Sequence, residues 1–478
     1  MNKTARRTGI SAISAAATIA VVASYTGFAG QASAASTTGD PAAASSWLIS
    51  QQAADGSMPS PYGAGFTDWG LSINVLWAMK AGGASSAAVN KTWGAISSNL
   101  KDYAGPGDYG ISAGASAKAL FAADVVNADP TKLVQKDKSV INILTQTSDL
   151  VLTSGAQKGR LKDPVANGAD YTNAITQALG VLGLAGAGQR GQAVSKPLVQ
   201  STVDFLATQQ CSDGYFRLSF NDNLSCDAAA KTKAGAPADL DSTSYALQAL
   251  MLAKQDGYMV PANAITAGVG YLSKVQRANG SFGTNTNSTG LATAALAGGG
   301  AASAAMRGTG YIAGLQAVGS KVKGTKLASS NGAIAFDQSG YDAGLKDGIT
   351  STAADQWRRA TADAQFGLVR KPLGSLLKDS APTTSPTGPS SSTSTATSTS
   401  TGTTTSTSTA TGTSTSTSTA TSTSTSTSTA TSTSTSTSTS TGTSTAPGAP
   451  STSPTGSPTD PTEPPTPTVT TTTLPVTG

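Results

Sequence analysis

Tyr271-Leu272-Ser273-Lys274-Val275-Gln276-Arg277-Ala278-Asn279-Gly280 is the stretch on which the fold turns. Its skeleton is an aromatic residue and Leu, then Gln four residues on, then Gly four residues after that. It recurs as Trp47-Leu48 with Gln52 and Gly56, and as Phe205-Leu206 with Gln210 and Gly214. A phrase that returns with one internal spacing marks a supersecondary unit used repeatedly, so the chain reads as an array. The copies close on Asp55-Gly56, Asp213-Gly214 and Asn279-Gly280. Gly just beyond an apolar helical run is a helix stop, because it takes the left-handed conformation without a Cβ clash.

A second helix is expected after each stop. Ser242–Lys254 is the clearest, with Leu247, Leu250 and Met251 at helical spacing and Ala246 and Ala249 beside them. Further members are expected at Trp69–Lys80, Ala115–Val126, Tyr171–Ala185, Ser288–Ala297 and Ser351–Leu368. Their density of Ala and Gly lets backbones approach closely, which suits inner helices packed side by side. Degenerate copies of the first helix are expected at Val89–Tyr103, Lys138–Leu150 and Met306–Val318. With the three full copies this makes about six helix pairs, enough to close into a ring without the exposed ends of an open solenoid.

The repeated phrase resembles the Gln-Trp repeat of terpene cyclases and the related repeat of protein prenyltransferases (prenyltransferase and squalene oxidase repeats). The resemblance implies an all-α fold, an α/α toroid or (α/α)6 barrel, spanning residues 40–378. It also implies that the Gln ties the end of an outer helix to the start of the next inner one. The final Trp of the family phrase is replaced here by Met58, Phe216 and Phe282. Complement thioester domains, cobalamin carriers and some polysaccharide lyases share this toroid, so the fold does not choose an activity.

Residue chemistry narrows the choice. The chain has no His, and its only Glu is Glu463, so every carboxylate available to the core is an Asp. Catalytic zinc wants His or Cys ligands, which speaks against a prenyltransferase, and neither metal nor cofactor is expected. A thioester needs Cys-Gly-Glu-Gln, whereas Cys211 is followed by Ser-Asp. Asp239-Leu240-Asp241-Ser242-Thr243 resembles the Asp-x-Asp-Asp-Thr motif of class II terpene cyclases, which implies Asp241 as the proton donor and Asp239 as its support. Ser242 stands where that family has a further Asp. The competing reading is a helix cap, because the next units place Asn285-Thr286-Asn287-Ser288-Thr289 and Gly348-Ile349-Thr350-Ser351-Thr352 in register with it. Asp, Asn and Thr side chains all accept from the orphan amides of a first turn.

If the inner helices run parallel, their N-termini gather at one rim. That would bring together Asp68, Trp69, Asp170, Tyr171, Asp241, Tyr245 and Asn287, with Tyr62, Phe66 and Thr350 nearby, as a concave site for a small molecule or glycan. A polysaccharide lyase or glycosidase built on paired Asp residues is a further option.

The flanks speak of location. Residues 1–34 read as a secretory signal: Lys3, Arg6 and Arg7, an apolar stretch, then Ala32-Ser33-Ala34. Cys211 and Cys226, the only cysteines, are expected to be disulfide-bonded in an exported chain. Residues 380–473 are almost only Thr, Ser, Pro, Gly and Ala, and are expected to form a disordered, solvated stalk. Leu474-Pro475-Val476-Thr477-Gly478 matches the Leu-Pro-x-Thr-Gly signal of sortases, which implies attachment to a cell wall. The formal charge of +5 is scattered, which speaks against a nucleic-acid partner. The leading expectation is a secreted, wall-anchored surface protein whose toroid head binds a small molecule or glycan or mediates adhesion. The alternative is a terpene-cyclase-like or carbohydrate-active enzyme using Asp241 as general acid.

Overall fold

The computed structural model describes residues 39–378, apart from 64, 107–109, 165–168 and 221–223. The expected signal (1–34), stalk (380–473) and sorting motif (474–478) lie outside the described residues. By internal contact the chain divides into Met1–Ser390 and Ser391–Gly478, and every described residue belongs to the first unit.

In chain order the helices are α1 (Pro41–Ser50), α2 (Trp69–Ala81), α3 (Ser86–Ser97), α4 (Leu100–Tyr103), α5 (Ala113–Val126), α6 (Ile143–Asp149), α7 (Ala174–Gln189), α8 (Lys196–Ala207), α9 (Cys226–Ala230), α10 (Leu240–Gln255), α11 (Ala264–Val275), α12 (Thr286–Gly298), α13 (Ala302–Gly314), α14 (Gln338–Asp347) and α15 (Ala354–Val369). Two short antiparallel ladders join them, β1 (Leu133–Val134) with β2 (Val140–Ile141) and β3 (Phe216–Arg217) with β4 (Ala238–Asp239). In the second, Phe216 lies opposite Asp239.

Neighbour packs on neighbour around α2, α5, α7, α10, α12 and α15, and α15 returns to α2. This is a closed ring of inner helices. The outer layer is α1, α3, α6, α8, α11 and α13, each lying against inner-ring helices. The fold is therefore an all-α toroid of six helix pairs among the described residues, as the repeat implies.

Burial separates the layers. In α7, 13 of 16 residues are buried, all round the helix, whereas α11 buries only Ala264, Gly268 and Leu272, a single stripe at spacing four. Small residues set the close approach of the inner ring. A Cβ on Gly290 would overlap the carbonyl oxygen of Asp363, so α12 lies directly against α15.

The Gln of each phrase works differently from what the family resemblance implies. Gln210 at the end of α8 donates to the carbonyl of Gly214 at 2.9 Å and to that of Ala264 at 2.8 Å, the first residue of α11. Gln276 at the end of α11 donates to Gly280 at 3.0 Å and to Ala304 in α13 at 2.9 Å. Gln52 reaches Thr92 of α3 at 2.7 Å. Gln210 and Gln276 therefore tie one outer helix to the next outer helix, whereas Gln52 reaches the outer α3 and also, at 3.8 Å, the Sδ of Met79 in the inner α2.

The inner layer is reached by another route. The backbone N–H groups of Met58, Phe216 and Phe282, which replace the family's Trp, donate to Ser72, Thr243 and Thr289 of the inner helices, each at 2.9 Å. All three side chains are buried.

The same device closes the ring across the two ends of the head. Gln316, just after α13, donates to the Asp40 carbonyl at 2.7 Å and accepts from the Asp40 N–H at 2.7 Å. Gln316→Ala is expected to cost about 2 kcal/mol, because Asp40 loses a donor and an acceptor together. Denaturant unfolding of the two chains reads this directly, and a loss below about 0.5 kcal/mol would mean the closure rests elsewhere.

One end of the ring is plugged. The 3-10 turn Leu373–Leu377 packs on α2, α5, α7 and α10, and the Leu373 N–H donates to Gln248 at 2.8 Å. The inner helices begin at the opposite end of the ring. The cysteines are joined as expected, Cys211 to Cys226.

Candidate binding site in the ring lumen

In α10 and α12 the caps are placed two residues earlier than the in-register motifs suggest. Asp239 caps α10 by accepting from the Ser242 N–H at 2.7 Å, and Asn285 caps α12 by accepting from Ser288 at 2.8 Å. Asp68 caps α2 through Leu71 at 2.7 Å, whereas α7 is capped by Asn173, not Asp170. Thr350 lies ahead of α15, whose cap position is Ala353. Asp241 and Asn287 consequently sit inside the first turn, their side chains free for other work.

That work is a polar cluster contributed by five inner helices. On α15, Asp355, Arg359 and Asp363 follow at intervals of four and share one face. Arg359 pairs with Asp68 and, through Nε, with Asp355 at 2.8 Å. Asp363 accepts from Asn74 of α2 at 3.2 Å and from Asn287 of α12 at 3.1 Å, one amide on each carboxylate oxygen. Lys118 of α5 lies over the Trp77 ring, 5.6 Å from its centre, within the field of Asp363 and Asp68. Asp241 and Tyr245, one turn apart on α10, complete the cluster beside Asp363. Lys118, Asp363, Asn74, Asn287 and Asp241 lie deep between helices yet keep some accessible surface, as residues lining a lumen do.

Burial dominates the electrostatics. It pushes the Asp241 carboxyl up to about 6, helped by the charges of Asp239 and Asp363 and opposed by the Ser288 hydroxyl. Burial also raises Asp363, against the pull of Lys118, Asn287, Arg359 and Asn74. It brings the Lys118 ammonium down to about 8, with Asp363 and Asp68 resisting. The phenol of Tyr245 is raised by burial and by the carboxylates around it.

Several buried polar atoms of the cluster have no hydrogen-bond partner: Asn74 Oδ1, Asn287 Oδ1, Asp241 Oδ1, Asp355 Oδ1 and Trp77 Nε1. A buried polar atom left unmatched costs about 1–3 kcal/mol, so these five weigh against the stability of the ring. The amide orientation follows from Asp363: each NH2 faces its carboxylate, which turns each amide oxygen away from it.

Of the residues expected at a rim, Asp68, Asp241, Tyr245 and Asn287 are linked through Arg359 and Asp363. Trp69 opens α2 and packs half-buried on the core. Asp170 is engaged elsewhere, by the buried Arg160 and by Thr172. Tyr62, Phe66 and Tyr171 stay largely exposed, in the segments that lead into α2 and α7. Sequence reasoning misses Lys118, Asp363 and Arg359, whose signal is a charge inside an otherwise Ala-rich inner helix. Two clefts lie away from the lumen. One of about 380 Å³ lies between α14 and the start of α15, and one of about 240 Å³ lies beside Phe205, Arg217 and Phe220.

No protein-family model matches this chain, and no curated protein matches it. Among solved structures, it is similar to a protein from Actinoplanes, at 16% identity and a TM-score of 0.40 over 69% of this chain and 99% of that one. It is similar to an Asp-to-Asn variant of UGL with the saccharide dGlcA-Glc-Rha-Glc, at 10% identity and a TM-score of 0.41 over 70% and 95%. A third is the type II terpene cyclase MstE from Scytonema without ligand, at 15% identity and a TM-score of 0.28 over 51% and 79%.

Proposed function

We propose that the toroid head is a binding module that takes a glycan or another small polyhydroxylated molecule at the end of its ring where the inner helices begin. The observation that carries this reading is the lumen cluster: Asn74, Lys118, Asp241, Asn287 and Asp363, polar and charged side chains that keep some accessible surface among Ala-rich inner helices, with both amides held by Asp363. Sugar recognition needs such an arrangement, a few fixed polar groups in a concavity with rings close by. The segments flanking the head extend the proposal to location. A signal at 1–34, a stalk at 380–473 and Leu474-Pro475-Val476-Thr477-Gly478 suit a secreted protein linked to a cell wall by sortase. At about 3.1 Å per residue of extended chain, such a stalk reaches roughly 300 Å.

The test is calorimetric titration of the full chain with soluble cell-wall saccharides. Asn287→Ala is expected to weaken binding at least about tenfold. Equal affinity in variant and parent would put the ligand outside the lumen.

One observation favours a second reading, an enzyme with Asp241 as general acid. Its carboxyl is buried and raised to about 6, the range in which a carboxyl both holds and gives up a proton near neutrality. Asp239 is then the cap that sets the first turn of α10. Asp241→Asn would retain binding and abolish turnover. A turnover that survives this change rules the second reading out.

A further inference from the structure

Lys118 stands apart from the other charges of the lumen. It lies in the middle of α5 between Ala117 and Ala119, both fully buried, and its side chain reaches over the Trp77 ring of α2. Arg359 is held by Asp68 and Asp355, whereas Lys118 Nζ makes no hydrogen bond and no ion pair among the described residues. Nor is the amine sealed. Asn74 Oδ1, Asn287 Oδ1 and Asp241 Oδ1 are fully buried, but Lys118 Nζ keeps surface open to the lumen. Charges of both signs act on it, Asp363 and Asp68 against Arg359. A lysine amine that is partly desolvated, unpaired and within reach is a nucleophile, most of all toward carbonyl carbon.

We infer that Lys118 is a covalent capture site for aldehydes, the class that includes open-chain reducing sugars, and holds them as an imine on Nζ. The step needs no redox partner. The Nζ lone pair attacks the carbonyl carbon, the oxygen takes a proton to give a carbinolamine, and the C–O bond then breaks as water leaves. Both protons of the neutral amine depart with that oxygen, so amine and aldehyde become imine and water. Asp363, whose charge acts on this amine most strongly, is the group to relay them. Burial brings the ammonium down to about 8, so roughly a quarter of it is neutral at pH 7.5, against about one part in a thousand for an ordinary lysine. Nucleophilicity falls with basicity and offsets part of that gain, which leaves about tenfold. The inference goes beyond reversible binding and turns on a different residue from the saccharide test at Asn287.

Glycolaldehyde with cyanoborohydride, applied to the full chain at pH 7.5, reduces each imine to a stable secondary amine that peptide mapping counts lysine by lysine. Lys118 is expected to label at least about tenfold faster than the exposed Lys158 and Lys346. In guanidinium chloride strong enough to unfold the ring, the three are expected to label within about twofold of one another. Labelling of Lys118 no faster than the exposed lysines in the folded chain would overturn the inference, and so would a preference that survives unfolding. Saccharide affinity and its loss in Asn287→Ala are read separately by calorimetry, so the two proposals fail independently.

Discussion

Gly332→Ala is expected to destabilise the head by about 3–5 kcal/mol and lower its Tm by on the order of 10 °C. Gly332 has φ of +96°, and a Cβ there would overlap the backbone carbonyl of Ala43 in the first turn of α1. The glycine lies where the last outer segment meets the first outer helix, so the clash falls on the seam of the ring. Gly214 and Gly280 make the same approach, to Ala267 of α11 and Arg307 of α13, with φ of +97° and +88°. Gly300 supplies the control, having φ of +86° with no atom within 4 Å of where a Cβ would stand. Gly300→Ala is expected to cost only about 1 kcal/mol, the conformational part alone. Similar losses at the two sites, by thermal or denaturant unfolding, would show that α1 does not press on Gly332.

Asp241→Asn is expected to stabilise the protein, by about 1–3 kcal/mol above pH 6. The sign follows from the shift. In the unfolded chain this carboxyl titrates near 3.8 and in the folded ring at about 6, so between these values the native state holds more protons. Stability therefore falls as pH rises through that interval, and the deficit is fully present above it. Asparagine carries no charge to bury beside Asp239 and Asp363, and its Tm should vary less between pH 4 and 7. The difference between the two Tm profiles isolates this residue from other raised carboxyls such as Asp124 and Asp256. A variant less stable than its parent at pH 7.5 would mean that Asp241 is paired in the folded state.

The array was legible because its markers are conformational. Gly at the helix stop must take positive φ, and Gln must sit one turn before it, so spacing survives where side chains vary. The copy at the ring seam was only half legible: Gln316 stands in phase after Tyr311-Ile312, but residues 317–331 separate it from Gly332. The direction of the glutamine ties could not be read from spacing, since it depends on which helix start lies within reach. The capping motifs misled by two positions. Asp239 and Asp241 are both chemically fit to cap, and strand β4, paired to β3, decides that the helix begins after Asp239. Asp363 and Lys118 belong to helices 245 residues apart in the chain. Only closure of the ring brings them face to face.

A co-crystal structure of the chain with a soluble cell-wall saccharide would locate the ligand outright. The sugar is expected at the end of the ring where the inner helices begin, beside Asp241, Asn287 and Arg359. A saccharide found instead in the cleft between α14 and α15, with the lumen residues unmoved, would contradict a binding site built by closure of the ring.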